Sequence, residues 1–394
     1  MEAIYFESDD ELLQKQEIKT SRGTLVAASI ADLHFPVKNI GPEMQYKILE
    51  EQFIEKIMNL PKLDIVFVLG DLYDHKVLTT SDAALYASMF IGKLVELCRV
   101  RNITLIILQG TLTHDSNQLK LYYHYMYDNT VDVRIVTKIQ FELVKGARIL
   151  CIPELYGIDE LEYQKFFSYS GFYDLAVLHG TMEGSVYGNN TTGNSRLFHI
   201  EDFMNCRGPI LGGHVHKPGT FGDAFYYCGS PYAWSFADDH KKGFILMAYN
   251  LDTRKYYLDY EWIKSFKYET ITISEIINND PQVTIAHIDK LKQEKGIDFL
   301  RVVFDTDVQK VPRMIISNNY QGNQNITLQF PNTQEEIQQI QKQQEENERL
   351  AKYEFLTNPQ YSDEEKFCMY VNMLKGQDNF ITVDGLRKIL EEDI

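Results

Sequence analysis

The chain has 394 residues, 44% of them hydrophobic, enough for a large buried core and more than one domain. Its formal net charge of -17 at pH 7 excludes a broadly basic surface, and no apolar run reaches membrane-spanning length. Five cysteines (Cys98, Cys151, Cys206, Cys228 and Cys368) show no Cys-x-x-Cys spacing, which argues against a disulfide framework or zinc knuckle and for reduced thiols in a cytoplasm. Met1 to Phe6 lacks a basic stretch ahead of an apolar one, so no secretory leader is expected. The segment to about Gly23 is acidic around Ser8-Asp9-Asp10-Glu11 and reads as a solvated arm or an added strand. Leu25 to Ile30 is the first of five short apolar runs, and it ends on Asp32-Leu33-His34. Met44, Ile48, Phe53 and Ile57 then recur at helical spacing across Glu43 to Leu60. Ile65 to Leu69 is the second run and leads into Gly70-Asp71-Leu72-Tyr73-Asp74; Ala84, Met89, Leu94 and Leu97 mark a second helix across Ser81 to Val100. Ile103 to Leu108 precedes His114, Leu175 to Leu178 precedes His179, and the looser Pro209 to Gly213 precedes His214-Val215-His216. Strand alternating with helix predicts an α/β fold in which helices cover a sheet.

If these strands share a sheet, their carboxyl ends lie along one edge, where open α/β sheets place their ligands. Asp32 and His34, two residues apart at a strand exit, could then grip one cation. Gly70 lets the chain turn so that Asp71 projects from the strand tip, placed to bridge two ions, and Gly212-Gly213 lets the backbone come close beside His214 and His216. Each motif alone is weakly specific; the order and strand-end placement of all five carry the reading. A mixed Asp/His set suits Mn²⁺, Fe²⁺ or Zn²⁺ better than Mg²⁺ or Ca²⁺. Two such ions roughly 3.5–4 Å apart would acidify a shared water and clamp a phosphoryl group, which predicts phosphoester hydrolysis.

Organisation changes near residue 250. Tyr268 to Ile273, Phe299 to Phe304 and Ile326 to Phe330 read as strands, with helical stretches at about 283–295 and 309–317 between them. Residues 334–354 are rich in Gln and Glu and read as a solvated helix or a flexible tether. Ser362-Asp363-Glu364-Glu365 opens a short amphipathic helix through Phe367, Tyr370, Val371 and Leu374, and Thr382 to Gly385 leads to another through Leu386, Ile389 and Leu390. Two such helices bury little alone and read as a docking module.

Taken in order, Asp32-Leu33-His34, Gly70-Asp71-Leu72-Tyr73-Asp74, the Gly…His114-Asp115 segment, His179 and Gly213-His214-Val215-His216 resemble the motifs of the calcineurin-like metallophosphoesterases. Gly229-Ser230-Pro231, with Ser235-Phe236 and Lys241-Lys242-Gly243-Phe244, is similar to the segment after the last metal motif of SbcD-type DNA repair nucleases. The resemblance spans about residues 24 to 250 and is loose beyond. It implies a metallophosphoesterase β-sandwich flanked by helices over 1–250, a smaller α/β capping domain over 251–333, a linker or solvated helix over 334–361 and a helical partner-docking tail over 362–394. It also implies that Asp32, His34, Asp71 and His216 hold one metal ion and that Asp71, His179 and His214 hold a second, with Asp71 bridging and Mn²⁺ the first choice of ion.

By the same resemblance His114 is catalytic, acting on the leaving oxygen or the phosphate, with Asp115 steadying it. Where the family reads Gly-Asn-His-Asp, with the Asn on the second metal, this chain reads Gly110-Thr111-Leu112-Thr113-His114-Asp115. Thr113 thus stands in the Asn position, and a hydroxyl is a poorer ligand than an amide carbonyl, so a weaker or water-completed second site is expected, with Asn117 the other candidate. The implied activity is that of a DNA exonuclease or endonuclease in repair and recombination. The tail would bind the coiled-coil base of an SbcC-type ATPase, which would supply the DNA-gripping surface that so acidic a chain lacks; a homodimer is compatible with this arrangement. A phosphodiesterase or phosphatase for small substrates and a non-catalytic scaffold of the same fold are the alternatives. Tyr232 and Trp234 read equally as DNA contacts or as buried packing, and His75 as a loop residue.

Overall fold

The computed structural model describes residues 23–37, 40–115, 117–168, 171–185, 196–238, 240–306, 308–323, 325–331, 362–375 and 382–384. β1 (Thr24–Ile30), β2 (Ile65–Leu69), β3 (Thr104–Leu108) and β4 (Asp132–Val136) run parallel to one another. β5 (Gln140–Val144) folds back antiparallel on β6 (Ala147–Ile152), which runs parallel to β7 (Leu175–His179). β8 (Thr181–Met182) and β9 (Leu197–Phe198) form a separate short ladder. β10 (Ile210–Gly213), β11 (Gly219–Phe221) and β12 (Phe225–Tyr227) complete a six-stranded sheet of order β11-β12-β10-β7-β6-β5. β13 (Lys242–Asn250) and β14 (Tyr256–Ile263) return to the first sheet, whose order is β14-β13-β1-β2-β3-β4, and β13 lies antiparallel to β1.

β2 is apolar throughout and β3 is buried throughout because the first sheet is covered on both faces. Residues alternate between those faces. Ala27, Phe67, Leu69, Ile106 and Leu108 pack on Ile149, Cys151, Val177 and Leu211 of the second sheet. Ala28, Val66, Val68, Leu105 and Ile107 pack outward on helices. These are α1 (Pro42–Leu49), which continues through a π turn at Glu50–Ile54 into Glu55–Met58, and α2 (Asp82–Arg101). Both match the predicted helical stretches. α2 starts where the Ser81 hydroxyl accepts from the Ala84 amide and stops where Asn102 turns left-handed. The outer face of the second sheet, with Leu150, Ile152, Leu178 and Ile210, is covered by Tyr163 and Phe167 of α3 (Glu160–Phe167). The fold is α/β: a two-sheet sandwich with helices on each side. Phe67→Ala, between the sheets, is expected to cost about 3–5 kcal/mol of unfolding free energy in denaturant titration; a loss under about 1 kcal/mol would contradict close packing there.

The chain divides into two compact units: Met1–Ile271 with Ala286–Val302 and Tyr320–Thr327, and Thr272–Ile285 with Val303–Asn319 and Leu328–Ile394. The core sheet runs to Ile263, past the boundary expected at 250. The alternating burial of β14 explains this, since it lies along β13 as an edge strand rather than opening a new domain. The three strands expected after residue 250 are found as β15 (Tyr268–Ile273), β16 (Phe299–Phe304) and β17 (Ile326–Gln329), in that order in one sheet, and the boundary between the two units cuts across all three. Both expected helices are present, α4 (Pro281–Glu294) and α5 (Lys310–Asn319).

The linker expected over 334–361 and the last helix through Leu386, Ile389 and Leu390 lie outside the described residues. α6 (Asp363–Lys375) is capped as its sequence predicts: the Ser362 hydroxyl accepts from the Glu365 amide, and the Glu365 carboxylate accepts from the Ser362 amide. Phe367 and Tyr370 of this helix are exposed and Cys368 is buried. Among the described residues no helix is long and apolar enough to cross a membrane.

Candidate metal centre

The carboxyl ends of six strands converge, as the sequence reading requires of five. Asp32 and His34 follow β1, Asp71 follows β2, Thr111 and His114 follow β3, Glu154 follows β6, His179 ends β7, and His214 and His216 follow β10. Their ligand atoms form three groups, each within 4.8 Å: Asp32 with His34 and His216, His34 with Asp71 and His114, and Asp71 with His179 and His214. His34 and Asp71 each belong to two groups, which makes the patch continuous.

The backbone is strained where these side chains turn inward. Asp32, His34, Asp71 and His214 all have left-handed φ, at 55°, 48°, 50° and 94°. Such conformations cost of order 1–3 kcal/mol each and persist only where the surroundings enforce them. Here the strand exits are stitched together. The Asp32 amide donates to Gly70 O (3.1 Å), the His34 amide to Asp71 O (2.9 Å), and the His214 amide to both Asp32 oxygens (2.9 and 3.1 Å). Glycine is required at two contacts. A Cβ on Gly70, whose φ is +86°, would lie 2.3 Å from His179 Nδ1, and one on Gly213 would lie 2.2 Å from Leu69 O.

Ring orientation is fixed from behind. His179 Nδ1 lies 2.7 Å from Leu69 O, which can only accept, so Nδ1 carries a proton and Nε2 faces Asp71 at 3.3 Å and Glu154 at 3.6 Å. The buried Lys242 ammonium donates to Asp238 Oδ1 (2.6 Å), Ser230 Oγ (2.8 Å) and His216 O (3.2 Å), so the Gly229-Ser230-Pro231 and Lys241-Lys242-Gly243 segments anchor the His216 loop. Gln45 Nε2 donates to Leu33 O, His34 O and the Tyr232 hydroxyl, and that hydroxyl donates to Leu33 O. Tyr232 is therefore buried packing. Trp234 is half-buried, its ring 4.4 Å from that of His34 and 4.3 Å from that of His216.

Burial and opposite charge compete throughout. Burial alone would raise Asp71, but the imidazoles of His179, His114 and His34 hold it well below the usual carboxylate range. Burial would lower His179, yet Asp71, Asp32 and Glu154 push it up to about 10. Glu154 is held at about 2 against its burial by His214 and His179, whereas burial and then the charge of His34 press His216 well below the histidine range. Three carboxylates crowded into one water-poor patch call for positive charge. His179 and His114 are drawn toward their charged forms in answer, and a divalent ion held by the neutral rings would supply that charge instead. His34 Nδ1 and His179 Nε2 are buried without a hydrogen bond, as imidazole nitrogens kept for a metal would be.

Six expected metal ligands, Asp32, His34, Asp71, His179, His214 and His216, are thus brought together. The threonine is different: Thr113 is exposed, and the hydroxyl that meets the centre is that of Thr111, 3.2 Å from Asp71 Oδ2 and 3.0 Å from Glu154 Oε2. Residues 112–115 close a helical turn whose His114 and Asp115 amides both donate to Thr111 O at 2.9 Å, so counting back from His114 picks the wrong threonine. Asp115 accepts from the Gly110 amide (2.9 Å) and the Tyr73 amide (3.2 Å), holding the two loops that carry Asp71 and Thr111. Burial and the Asp71 charge raise its carboxyl to about 6. His114 Nδ1 lies 2.9 Å from Asp71 Oδ2, and His75 bonds Asp74 in its loop. Glu154, absent from the sequence reading, faces His214 Nδ1 at 3.3 Å. Its signal was present, since Leu150-Cys151-Ile152-Pro153 is another apolar run ending on a carboxylate.

No family model and no curated protein matches the chain. Among solved structures, one crystal structure is similar with a TM-score of 0.38 at 12% identity, over 60% of this chain and 99% of that one. A solution NMR structure of a Thermotoga maritima protein is similar with a TM-score of 0.26 at 15% identity, over 60% of this chain and 98% of that one. The functional reading rests on the chain's own residues.

Proposed function

We propose that this chain is a metal-dependent phosphodiesterase that cuts DNA. The observation that supports this best is the convergence of Asp32, His34, Asp71, His179, His214 and His216 in groups linked to one another through His34 and Asp71. In this reading Asp32, His34, Asp71 and His216 hold one ion, and Asp71, His179 and His214 hold another. Glu154 adds a carboxylate beside the second set, 3.3 Å from His214 Nδ1 and 3.6 Å from His179 Nε2. Mn²⁺ suits such a mixed nitrogen and oxygen set. Bound ions would supply charge neutralisation at the phosphate and acidify water. The chain's residues supply the rest: Asp71 and Thr111 fix the two halves of the centre, Trp234 screens His34 and His216 from solvent, and His114 reaches the side where a leaving oxygen would emerge.

DNA as substrate, a cytoplasmic setting and an SbcC-type ATPase docked on the tail complete the proposal. The exposed Phe367 and Tyr370 of α6 fit a docking role, and a basic partner would offset the net charge of -17. That same charge favours a second reading, a phosphodiesterase for small nucleotides.

Cleavage of single- and double-stranded DNA and of a phosphodiester dye ester in Mn²⁺, for the wild type and His214→Ala, tests the choice. DNA cleavage lost in the variant is expected. Dye hydrolysis without DNA cleavage would move the reading to small substrates, and inactivity on both, with the ATPase also added, would leave a scaffold.

A further inference from the structure

A cavity of about 450 Å³ is lined by Pro36, Val37, Ile40, Gly41 and Pro42 and by the polar pair Asp74 and His75. Its Asp74 reaches the proposed metal ligands. Asp74 Oδ1 is 3.6 Å from His34 Nδ1, and His34 Nε2 is 3.7 Å from Asp71 Oδ2, so one imidazole ring separates the cavity from the shared carboxylate. A volume of this size is in the range of small-molecule sites, which are mainly apolar with a few placed polar groups. Bare phosphate has no use for such a wall.

We propose that this cavity seats the base of the nucleotide whose phosphate lies at the metal centre, an inference that rests on the phosphodiesterase reading above. A base has flat apolar faces, which the half-buried Pro36 and Pro42 can cover, and N–H donors along its edge. The Asp74 carboxylate offers acceptor oxygens and stays partly open to solvent while His75 Nδ1 lies 3.0 Å from Oδ2. Adenine, cytosine and guanine, which carry exocyclic amino groups, therefore fit better than a purely aliphatic alcohol or a second anion, which Asp74 would repel.

Gly41 gives a clean plug. Its φ of -64° and ψ of 142° suit any residue, and a Cβ there meets nothing within 4 Å. The test is calorimetric titration of the Mn²⁺-loaded full chain with dAMP, deoxyribose 5-phosphate and inorganic phosphate, using the wild type, Gly41→Ala and Gly41→Phe. Expected is dAMP binding at least about tenfold tighter than deoxyribose 5-phosphate, about 1.4 kcal/mol. Gly41→Phe should erase that difference and leave phosphate binding unchanged, and Gly41→Ala should retain it. Equal binding of dAMP and deoxyribose 5-phosphate by the wild type would overturn the base site and leave the metal centre standing, as would a Gly41→Phe variant that weakens dAMP no more than phosphate. Failure of all three ligands to bind would overturn the phosphodiesterase reading and the base site with it.

Discussion

Asp71→Asn is expected to abolish metal-induced stabilisation and hydrolysis together. The substitution keeps shape and an acceptor oxygen for the Thr111 amide, which donates to Asp71 Oδ1 at 2.6 Å, so the loop should keep its fold. What it removes is the one charge common to two of the three ligand groups, facing His114 at 2.9 Å, His179 at 3.3 Å and His34 at 3.7 Å. For the wild type, Mn²⁺ at 100 times its Kd should add about 2.7 kcal/mol of stability. At about 1–2 °C per kcal/mol for a chain of this length, that is a rise in Tm of about 3–5 °C. The variant should show no such rise, and its hydrolysis should fall by more than the about 10–100-fold typical of losing an outer partner of a metal ligand. A full thermal shift in Asp71→Asn would place the metal elsewhere.

The parts of this centre that could be read from sequence share one property. Asp32, Asp71, His179 and His214 each come within two residues of an apolar strand, so the strand fixes where they point and a common sheet edge fixes that they meet. Glu154 obeys the same rule behind β6, but a carboxylate after proline is too ordinary in a sequence to stand out. Thr111 could not be found by spacing, because the choice between Thr111 and Thr113 depends on whether 112–115 coils or extends, a local decision enforced by the Asp115 bonds to Gly110 and Tyr73.

The fold divides in the same way. Long apolar runs such as β2 and β3 announce themselves, whereas β11 and β12 are three residues each and draw their stability from neighbours. β14 alternates only weakly, and its place beside β13 depends on a pairing partner that no local pattern names. The roles of Gln45 and Lys242 are also long-range: one reaches Tyr232 and the other the carbonyl of His216, across 187 and 26 residues of chain.

His114→Ala is expected to lower cleavage by about 10²–10⁴-fold, the usual range for a positioned proton donor, while the Mn²⁺-induced rise in Tm stays. The ring is partly open, 27% exposed at the side chain against 0% for His179, as a group that meets substrate must be. Burial would lower its pKa, but Asp71 at 2.9 Å and the charges of Asp115 and Asp74 raise it above the ordinary histidine value, which favours the protonated ring that a leaving oxygen needs. Two of the three ligand groups, Asp32 with His34 and His216 and Asp71 with His179 and His214, are complete without it. Thermal shift with and without Mn²⁺, run beside DNA cleavage, separates the two roles. Cleavage lost with the shift retained assigns His114 to the chemistry. Loss of the shift would make it a ligand that closes the group of His34 and Asp71, and unchanged cleavage would remove it from the mechanism.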